Sequence, residues 1–485
     1  MRRENFSPLF SLVLGSVMFF SLILLSGIRA ISEQTPIISD SQQDNNEEGI
    51  ITVDEENGNS DDQNELDSKE LRAALDDLKD QVSDLKADLK KKQDKQDNTK
   101  KFSCKVGGNL IMDALALTQS DASRDLYGQI DNQVQARDAR ISISGEGYGF
   151  LSYGVVFGIN KEEVNFKDVT VTAKDMPIFG DLTVGHFKVE TNMDYLQRVF
   201  DTPSVDFDSN TNTFCAGRKL GVGSTYYTAD KQGRLFLGLF TGKGFDTKSA
   251  SAVSDSAILL NARATAIPIY RRCGDDYLDE VLHIGTSYYW TRLDRDSQQN
   301  FRLRPTGWVY SMPYLFGGKV TLEDYSVLET EIAWQKGGFA LQCEGFYGSY
   351  DGLDNGAGVT GLCRYMLTPG AFHEYDKSGG RFFQVVVPEV LRFVDFENWK
   401  YFQGYGAVEA ICQWSYTDLD NLSGTDNDLV YGTYNELLAG LNWFWNSQTR
   451  WSFNWVHAMP SSTDGTVEKE ERESDTFVVQ MRIKF

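Results

Sequence analysis

The segment FVVQMRIKF, from Phe477 to Phe485, decides the fold of this chain. Alternate side chains on one side of it are apolar: Phe477, Val479, Met481, Ile483 and Phe485. The opposite side carries Val478, Gln480, Arg482 and Lys484 and is mostly polar. Successive side chains of a β-strand point to opposite faces, so the pattern predicts a strand with one apolar and one polar face. Such a strand suits a wall between lipid and water, and an aromatic last residue is usual where an outer-membrane barrel ends.

The same alternation recurs through the chain from residue 102 onwards. Clear examples are residues 137–146, 282–292, 404–417 and 433–446. Counting such segments gives 16 to 18 strands, and single-chain barrels of this kind favour even numbers. We therefore predict an all-β fold, a transmembrane antiparallel β-barrel of 16 strands, or 18, over residues 102–485.

Composition excludes several other classes. The 485 residues carry a net charge of -23, which argues against nucleic-acid binding, since phosphates attract basic surfaces. Mean hydropathy is -0.37, and no span after residue 30 approaches the ~18–20 apolar residues of a membrane helix. A closed barrel can still cross a bilayer with so polar a sequence. A large soluble β-sandwich or propeller is the alternative, although we find no propeller-length repeat.

The N-terminal region differs from the rest. Arg2 and Arg3 precede an apolar run, and Ala30 offers a small residue for cleavage, so residues 1–30 predict a secretory signal peptide. An uncleaved inner-membrane anchor is the alternative. Residues 31–65 are acidic, polar and without aromatic residues, which predicts a disordered linker.

A heptad pattern follows in residues 66–101. Six apolar residues with 4-3-4-3-4 spacing form one helical stripe: Leu71, Leu75, Leu78, Val82, Leu85 and Leu89. This predicts a short coiled coil followed by a charged spacer. Because we find no partner stripe within the chain, we expect pairing with copies of itself. A lone amphipathic helix packed elsewhere is the alternative.

The β region resembles the phosphate-selective porin O and P family. Five landmarks carry the resemblance in order: Arg137–Gly145 (RDARISISG), Val184–Glu190 (VGHFKVE), Ala216–Gly223 (AGRKLGVG), Leu367–Gly380 and Ala439–His457. The resemblance covers residues 102–485. It implies a trimeric sixteen-stranded outer-membrane barrel with an inward-folded loop and basic residues along the pore. By position, that loop should be Thr191–Cys215.

The resemblance also implies the function. We expect an outer-membrane porin for passive diffusion of small hydrophilic solutes or ions, including anions such as phosphate. Its partners would be outer-membrane lipid, copies of itself in a homotrimer and the solutes, but no nucleic acid. The alternative is a structural or adhesive envelope barrel anchored through its coiled coil.

Basic side chains are the candidates for lining the pore. Alternation places Arg140, Arg482 and Lys484 on the lumen face, and Lys219 too if Leu220 and Val222 face lipid. The candidates nearest the constriction are Lys188, Arg198, Arg218 and Lys219. The alternative for each is a solvated wall charge paired with a neighbouring carboxylate.

The net charge of the predicted loop does not favour a preference for phosphate. It contains Asp194, Asp201, Asp206 and Asp208 but only one Arg, Arg198. If these carboxylates line the gap, the channel should be unselective or weakly cation-preferring, because charges at a constriction dominate ion choice. If Lys188, Arg218 and Lys219 point inward and the Asp side chains point into the wall, anions should be favoured.

No catalytic motif, metal site or cofactor is predicted. There is no G-x-S-x-G, H-E-x-x-H or phosphate-binding loop, and the four His are far apart in sequence. Of the six Cys, Cys215 and Cys273 are the better disulfide candidates, and Cys412 lies on the predicted lipid face.

Overall fold

A computed structural model of the chain describes residues 102–160, 163–241, 257–274, 277–293, 298–308, 316–352, 355–395, 400–419, 432–462 and 472–485. The predicted signal peptide, linker and coiled coil lie outside these residues. None of the helices within the described ranges is long and apolar enough to cross a membrane.

Sixteen strands form one closed antiparallel barrel. In chain order they are β1 (Lys105–Gln119), β2 (Gln133–Gly147), β3 (Leu151–Asn160), β4 (Glu163–Met176), β5 (Gly180–Lys188), β6 (Arg218–Tyr227), β7 (Gly233–Thr241), β8 (Ile258–Cys273), β9 (Tyr277–Arg292), β12 (Asp324–Lys336), β13 (Phe339–Tyr350), β14 (Gly356–Met366), β19 (Ala407–Asp418), β20 (Gly432–Asn446), β21 (Thr449–Ser462) and β22 (Ser474–Lys484). The last strand closes the barrel on the first, with Leu115 opposite Val478. The predicted barrel of 16 strands is confirmed.

Within the described residues, six further strands and three helices lie in the connections. The strands pair as three small sheets: β10 (Gln298–Leu303) with β11 (Phe316–Thr321), β15 (Phe372–Asp376) with β16 (Arg381–Val386), and β17 (Arg392–Asp395) with β18 (Lys400–Gln403). The helices are α1 (Asp121–Tyr127), α2 (Met193–Leu196) and α3 (Ser209–Phe214).

The two faces of the wall follow the alternation in sequence. In β22, Phe477 is 53% exposed on the outside, whereas Gln480 and Arg482 are fully buried on the inside. In β19, Trp414 is exposed and Gln413 is buried. An apolar outer belt with polar groups inside allows each strand to face hydrocarbon while its backbone groups pair with its neighbours.

The two ends of the barrel differ in their connections. Short turns, such as residues 148–150, 177–179 and 447–448, lie at the end where β1 begins and β22 ends. We call it the turn end and the opposite one the loop end. The connection between β14 and β19, residues 367–406, is the long exception at the turn end.

All six cysteines are free thiols. Cys215 and Cys273 therefore do not form the bridge that their loop positions suggested. The Cys215 sulfur instead accepts a hydrogen bond from the Thr191 hydroxyl at 3.1 Å.

Candidate channel constriction

Residues 189–217, between β5 and β6, form the segment that we call the inward loop. Its two short helices begin at capping side chains. Asn192 caps α2 through the Tyr195 amide, and Asp208 caps α3 through the amides of Asn210 and Thr211. These caps satisfy amide groups that a helix start leaves unpaired, which helps a loop with little regular structure to hold one shape.

One side of the inward loop is seated on β12, β13 and β14. Glu344 accepts a hydrogen bond from the Asp194 amide at 3.0 Å, and Glu331 accepts one from the Met193 amide. The Asn210 side chain bonds Thr360 and Thr417 on the wall at 3.0 and 2.7 Å. This seat needs a glycine, because a Cβ at Gly358 would collide with Asn210.

The opposite side of the loop is held by β20, β21 and β22. The Arg482 guanidinium donates to the carbonyl oxygens of Val199, Thr202 and Ser204 at 2.5, 3.2 and 2.5 Å. Asn442 donates to the Pro203 carbonyl at 2.9 Å. The loop therefore spans the lumen from wall to wall.

Two further segments enter the lumen. From the loop end, residues 303–308 reach the inner wall, where Thr306 bonds Glu436 and the Trp308 indole donates to Thr476 at 2.9 Å. The Arg137 guanidinium links this segment to the inward loop, since it bonds the Gly307 carbonyl and pairs with Asp206.

From the turn end comes a hairpin formed by β15 and β16, which we call the lumen hairpin. His373 contacts Glu409 at 2.6 Å, and the Tyr375 hydroxyl contacts His283 at 2.5 Å. Arg381 donates to the Leu196 carbonyl of the inward loop. The two inward segments therefore meet inside the barrel.

The Arg and Asp side chains of the inward loop differ in their exposure to the lumen. Arg198 is exposed, whereas Asp194, Asp201 and Asp208 are buried. The half-buried Asp206 is paired with Arg137 at 2.8 Å. Burial, together with the neighbouring Asp208, raises the pKa of Asp194 well above its usual value.

The predicted pore residues fall into two groups. Arg198, Lys188, Arg482 and Lys484 lie in or against the inward loop: the Lys188 ammonium donates to the Gln197 carbonyl at 2.9 Å, and Lys484 lies 5.6 Å from the centre of the Phe200 ring. Arg140 and Arg218 instead pair with wall acids, Asp138 at 2.6 Å and Asp168 at 2.9 Å. Lys219 lies opposite Phe187 in the β5–β6 ladder.

Two arginines of the inner wall were missed by the sequence reasoning. Arg364 and Arg450 are each 1% exposed, and among the described residues none hydrogen-bonds any guanidinium nitrogen of Arg364, or Nε and Nη2 of Arg450. Their guanidiniums lie over the rings of Phe382 and Phe444, at 4.8 and 5.6 Å. The only signal in the sequence was their lumen-side position in alternating strands.

Within the described ranges, no group of His, Cys, Asp and Glu side chains is arranged to hold a metal ion. His283 and His373 serve instead as contacts between the wall and the lumen hairpin.

A closed sixteen-stranded barrel with an apolar outer belt, and a charged lumen narrowed by inserted segments, defines an outer-membrane channel. The chain belongs to the family Phosphate-selective porin O and P, whose sequence profile matches residues 105–485. It is thus an outer-membrane porin for passive diffusion of small hydrophilic solutes or ions, and the family resemblance noted in the sequence is confirmed. Its turn end is the periplasmic end, because short turns face the periplasm in such barrels.

Comparison with solved structures finds similar chains at low sequence identity. The outer membrane channel DcaP of Acinetobacter baumannii is 8% identical with a TM-score of 0.47, covering 79% of this chain and 97% of that one. An anion-selective porin from Comamonas acidovorans is 12% identical with a TM-score of 0.45, covering 79% and 100%. OprB of Pseudomonas putida, at high pH, is 8% identical with a TM-score of 0.47, covering 81% and 96%. Comparison with curated proteins gives no match.

Proposed function

We propose that this porin favours small hydrophilic anions, such as phosphate, over cations. The observation that carries the proposal is the sorting of charge on the inward loop. Its one Arg is exposed inside the barrel, while its four Asp are buried or paired. Fixed charges at a narrow point decide which ions pass, so the exposed Arg198 outweighs carboxylates that do not meet the solute.

Arg364 and Arg450 add positive charge to the inner wall, but both side chains are buried and act on a passing ion through their charge, not through contact. Lys188 and Arg482 have a different role, since their donors already hold carbonyls of the inward loop. Arg140, Arg218, Lys219 and Lys484 remain candidates for lining the wider parts of the pore.

The test is the reversal potential of the full-length protein in planar bilayers under a salt gradient, with phosphate added as a competing blocker. We expect anion preference and block by phosphate, both weakened in Arg198→Gln. The matched control is Arg124→Gln, because this partly exposed residue of α1 pairs with Asp121 away from the inward loop. Cation preference in the unmodified protein would contradict the proposal.

The same recordings separate a channel from a structural barrel. A porin conducts in discrete open steps, whereas a barrel that only ties the envelope together would be silent. We expect no chemical conversion of the solute, since diffusion through a pore needs no covalent step.

We also propose a homotrimer that is secreted through residues 1–30 and supported by the coiled coil of residues 66–101, beyond the acidic linker 31–65. The heptad stripe and the family resemblance support this arrangement. Deleting residues 66–89 should leave the barrel folded but loosen the oligomer. An intact protein that is fully monomeric in mild detergent would contradict the trimer.

A further inference from the structure

Three cysteines lie on the outer face of three neighbouring strands. They are Cys343 in β13, Cys363 in β14 and Cys412 in β19. Leu341, Tyr365 and Trp414, each two residues away from one of them, are exposed on the same face. The three thiols therefore share the lipid-facing side of the wall and are separated from the lumen by the sheet.

Cys363 and Cys412 stand directly opposite each other in the β14–β19 ladder. The pairing is regular from Ala357 to Met366, without a bulge. Directly opposed residues of antiparallel strands have Cα atoms about 4.5–5.5 Å apart. A disulfide accepts Cα separations of about 4.4–6.8 Å, so the backbone already holds the two residues in range.

Cys343 does not share this arrangement. It lies opposite Gly361, and Cys363 lies opposite Leu341, so Cys343 is diagonal to Cys363. Diagonal neighbours are separated by about 7–8 Å. That distance exceeds the limit of about 7 Å beyond which a disulfide needs backbone movement. Cys363 and Cys412 are thus within disulfide range of each other, whereas Cys343 is too far from Cys363.

We propose that Cys363 and Cys412 are an oxidation site, at which a cross-strand disulfide forms when the protein meets a thiol oxidant. Both S–H bonds break, one S–S bond forms, and two protons and two electrons leave. The acceptor is a protein disulfide of the periplasmic thiol-oxidising machinery, which is reduced to a dithiol. An outer-membrane protein crosses this oxidising compartment during export.

The bond would join the two strands from which the lumen hairpin extends. Residues 367–406, including the hairpin, connect β14 to β19 at the turn end. A covalent link between Cys363 and Cys412 closes this long segment into a ring and restricts the unfolded chain. The oxidised barrel should therefore unfold at a higher temperature than the reduced one.

The experiment treats the folded full-length protein in detergent with diamide, whose N=N bond takes up the two hydrogens. Remaining thiols are alkylated, and non-reducing peptide mapping locates each cysteine. We expect a Cys363–Cys412 peptide in the unmodified protein and in Cys343→Ser, and none in Cys412→Ser. A thermal scan of each sample confirms that the barrel is folded.

Two results would overturn the proposal. One is full alkylation of Cys363 and Cys412 in the folded, diamide-treated protein. The other is a cross-link that uses Cys343 instead. Both are read from the unmodified chain, so neither depends on whether a cysteine variant folds.

Discussion

The inward loop and the lumen hairpin enter the barrel from opposite ends and are held by different chemistry. The loop is anchored largely by groups that keep their charge state, chiefly the Arg482 guanidinium on backbone carbonyls and the Asn210 amide on wall hydroxyls. The hairpin is anchored in part through imidazoles, His373 on Glu409 and Tyr375 on His283, beside an Arg272–Glu374 ion pair at 3.0 Å.

This difference separates a fixed element from one that can respond. Guanidinium and amide groups do not titrate in physiological conditions, whereas imidazole changes charge between about pH 5 and 8. We therefore expect the Arg482 and Asn210 anchors of the loop to be sensitive to substitution and indifferent to pH. The hairpin should be less sensitive to substitution but should respond to acid.

The largest effect should come from Arg482→Gln. This side chain donates to several carbonyls of the loop, and its loss leaves them buried without partners. We expect the free energy of unfolding to fall by about 2–5 kcal/mol, with larger channel conductance as the loop loosens. Denaturant unfolding in micelles and single-channel recording measure the two effects.

The control for this change is Arg450→Gln. Arg450 lies opposite Arg482 in the β21–β22 ladder and is equally buried, but among the described residues its Nε and Nη2 bond nothing. Its removal should not loosen the loop and should lower anion preference. If both variants lose the same free energy of unfolding, the prediction that Arg482 anchors the inward loop is wrong.

A smaller effect is expected from Gly358→Ala. The added methyl group would collide with the Asn210 side chain and displace the seat of α3. Overpacking of this kind costs about 1–3 kcal/mol. Gly361→Ala, in the same strand, is the matched control, because a methyl group there meets no atom within 4 Å. Equal stability of the two variants would show that the loop adapts to its seat.

The alternation of apolar and polar residues in the sequence was sufficient to predict the barrel wall and its two faces. It predicted that Phe477 faces outward and Gln480 inward, because period two is local and every strand must hide one face from hydrocarbon. The barrel has 16 strands and not 18, and short pairs such as β15 and β16 form separate sheets that are not part of the barrel wall.

The lumen could not be predicted in the same way. Arg482 and Lys484 share a face in sequence, yet Arg482 holds the loop through several hydrogen bonds and Lys484 only approaches a ring. Likewise, four Asp in the loop suggested an acidic gap, but their direction depends on wall partners such as Thr360 and Arg137, which lie far away in the chain. Charge counts do not report where charges point.

The hairpin should respond to acid through His373. Burial lowers the pKa of His373 below its usual 6.5; the neighbouring Arg364 acts in the same direction, and Glu409 opposes it. The docked hairpin therefore binds fewer protons than a released one. The contribution of His373 to the free energy of docking is complete above pH 6.5. It decreases as pH falls below that value, by up to about 1.4 kcal/mol per pH unit.

Single-channel conductance between pH 7.5 and 5 is the measurement. We expect conductance to change in this window in the unmodified protein and to stay level in His373→Gln, which cannot titrate. A flat profile in both proteins would mean that the hairpin remains docked when His373 is protonated.

The smallest effect should come from Tyr375→Phe. Burial raises the pKa of the Tyr375 phenol, whose hydroxyl hydrogen-bonds Nδ1 of His283 at 2.5 Å, and Nε2 of the same ring contacts Glu331 at 2.9 Å. Removing one neutral hydrogen bond should cost about 0.5–1.5 kcal/mol, seen as faster protease cleavage of residues 372–386 from the periplasmic end. Tyr153→Phe is the matched control, because that hydroxyl donates to the Ser103 carbonyl at 2.8 Å and lies in β3 of the wall. If Tyr375→Phe leaves cleavage unchanged while Arg482→Gln exposes the inward loop, the hairpin is held mainly by His373 and by packing, and the contrast between the two segments becomes sharper.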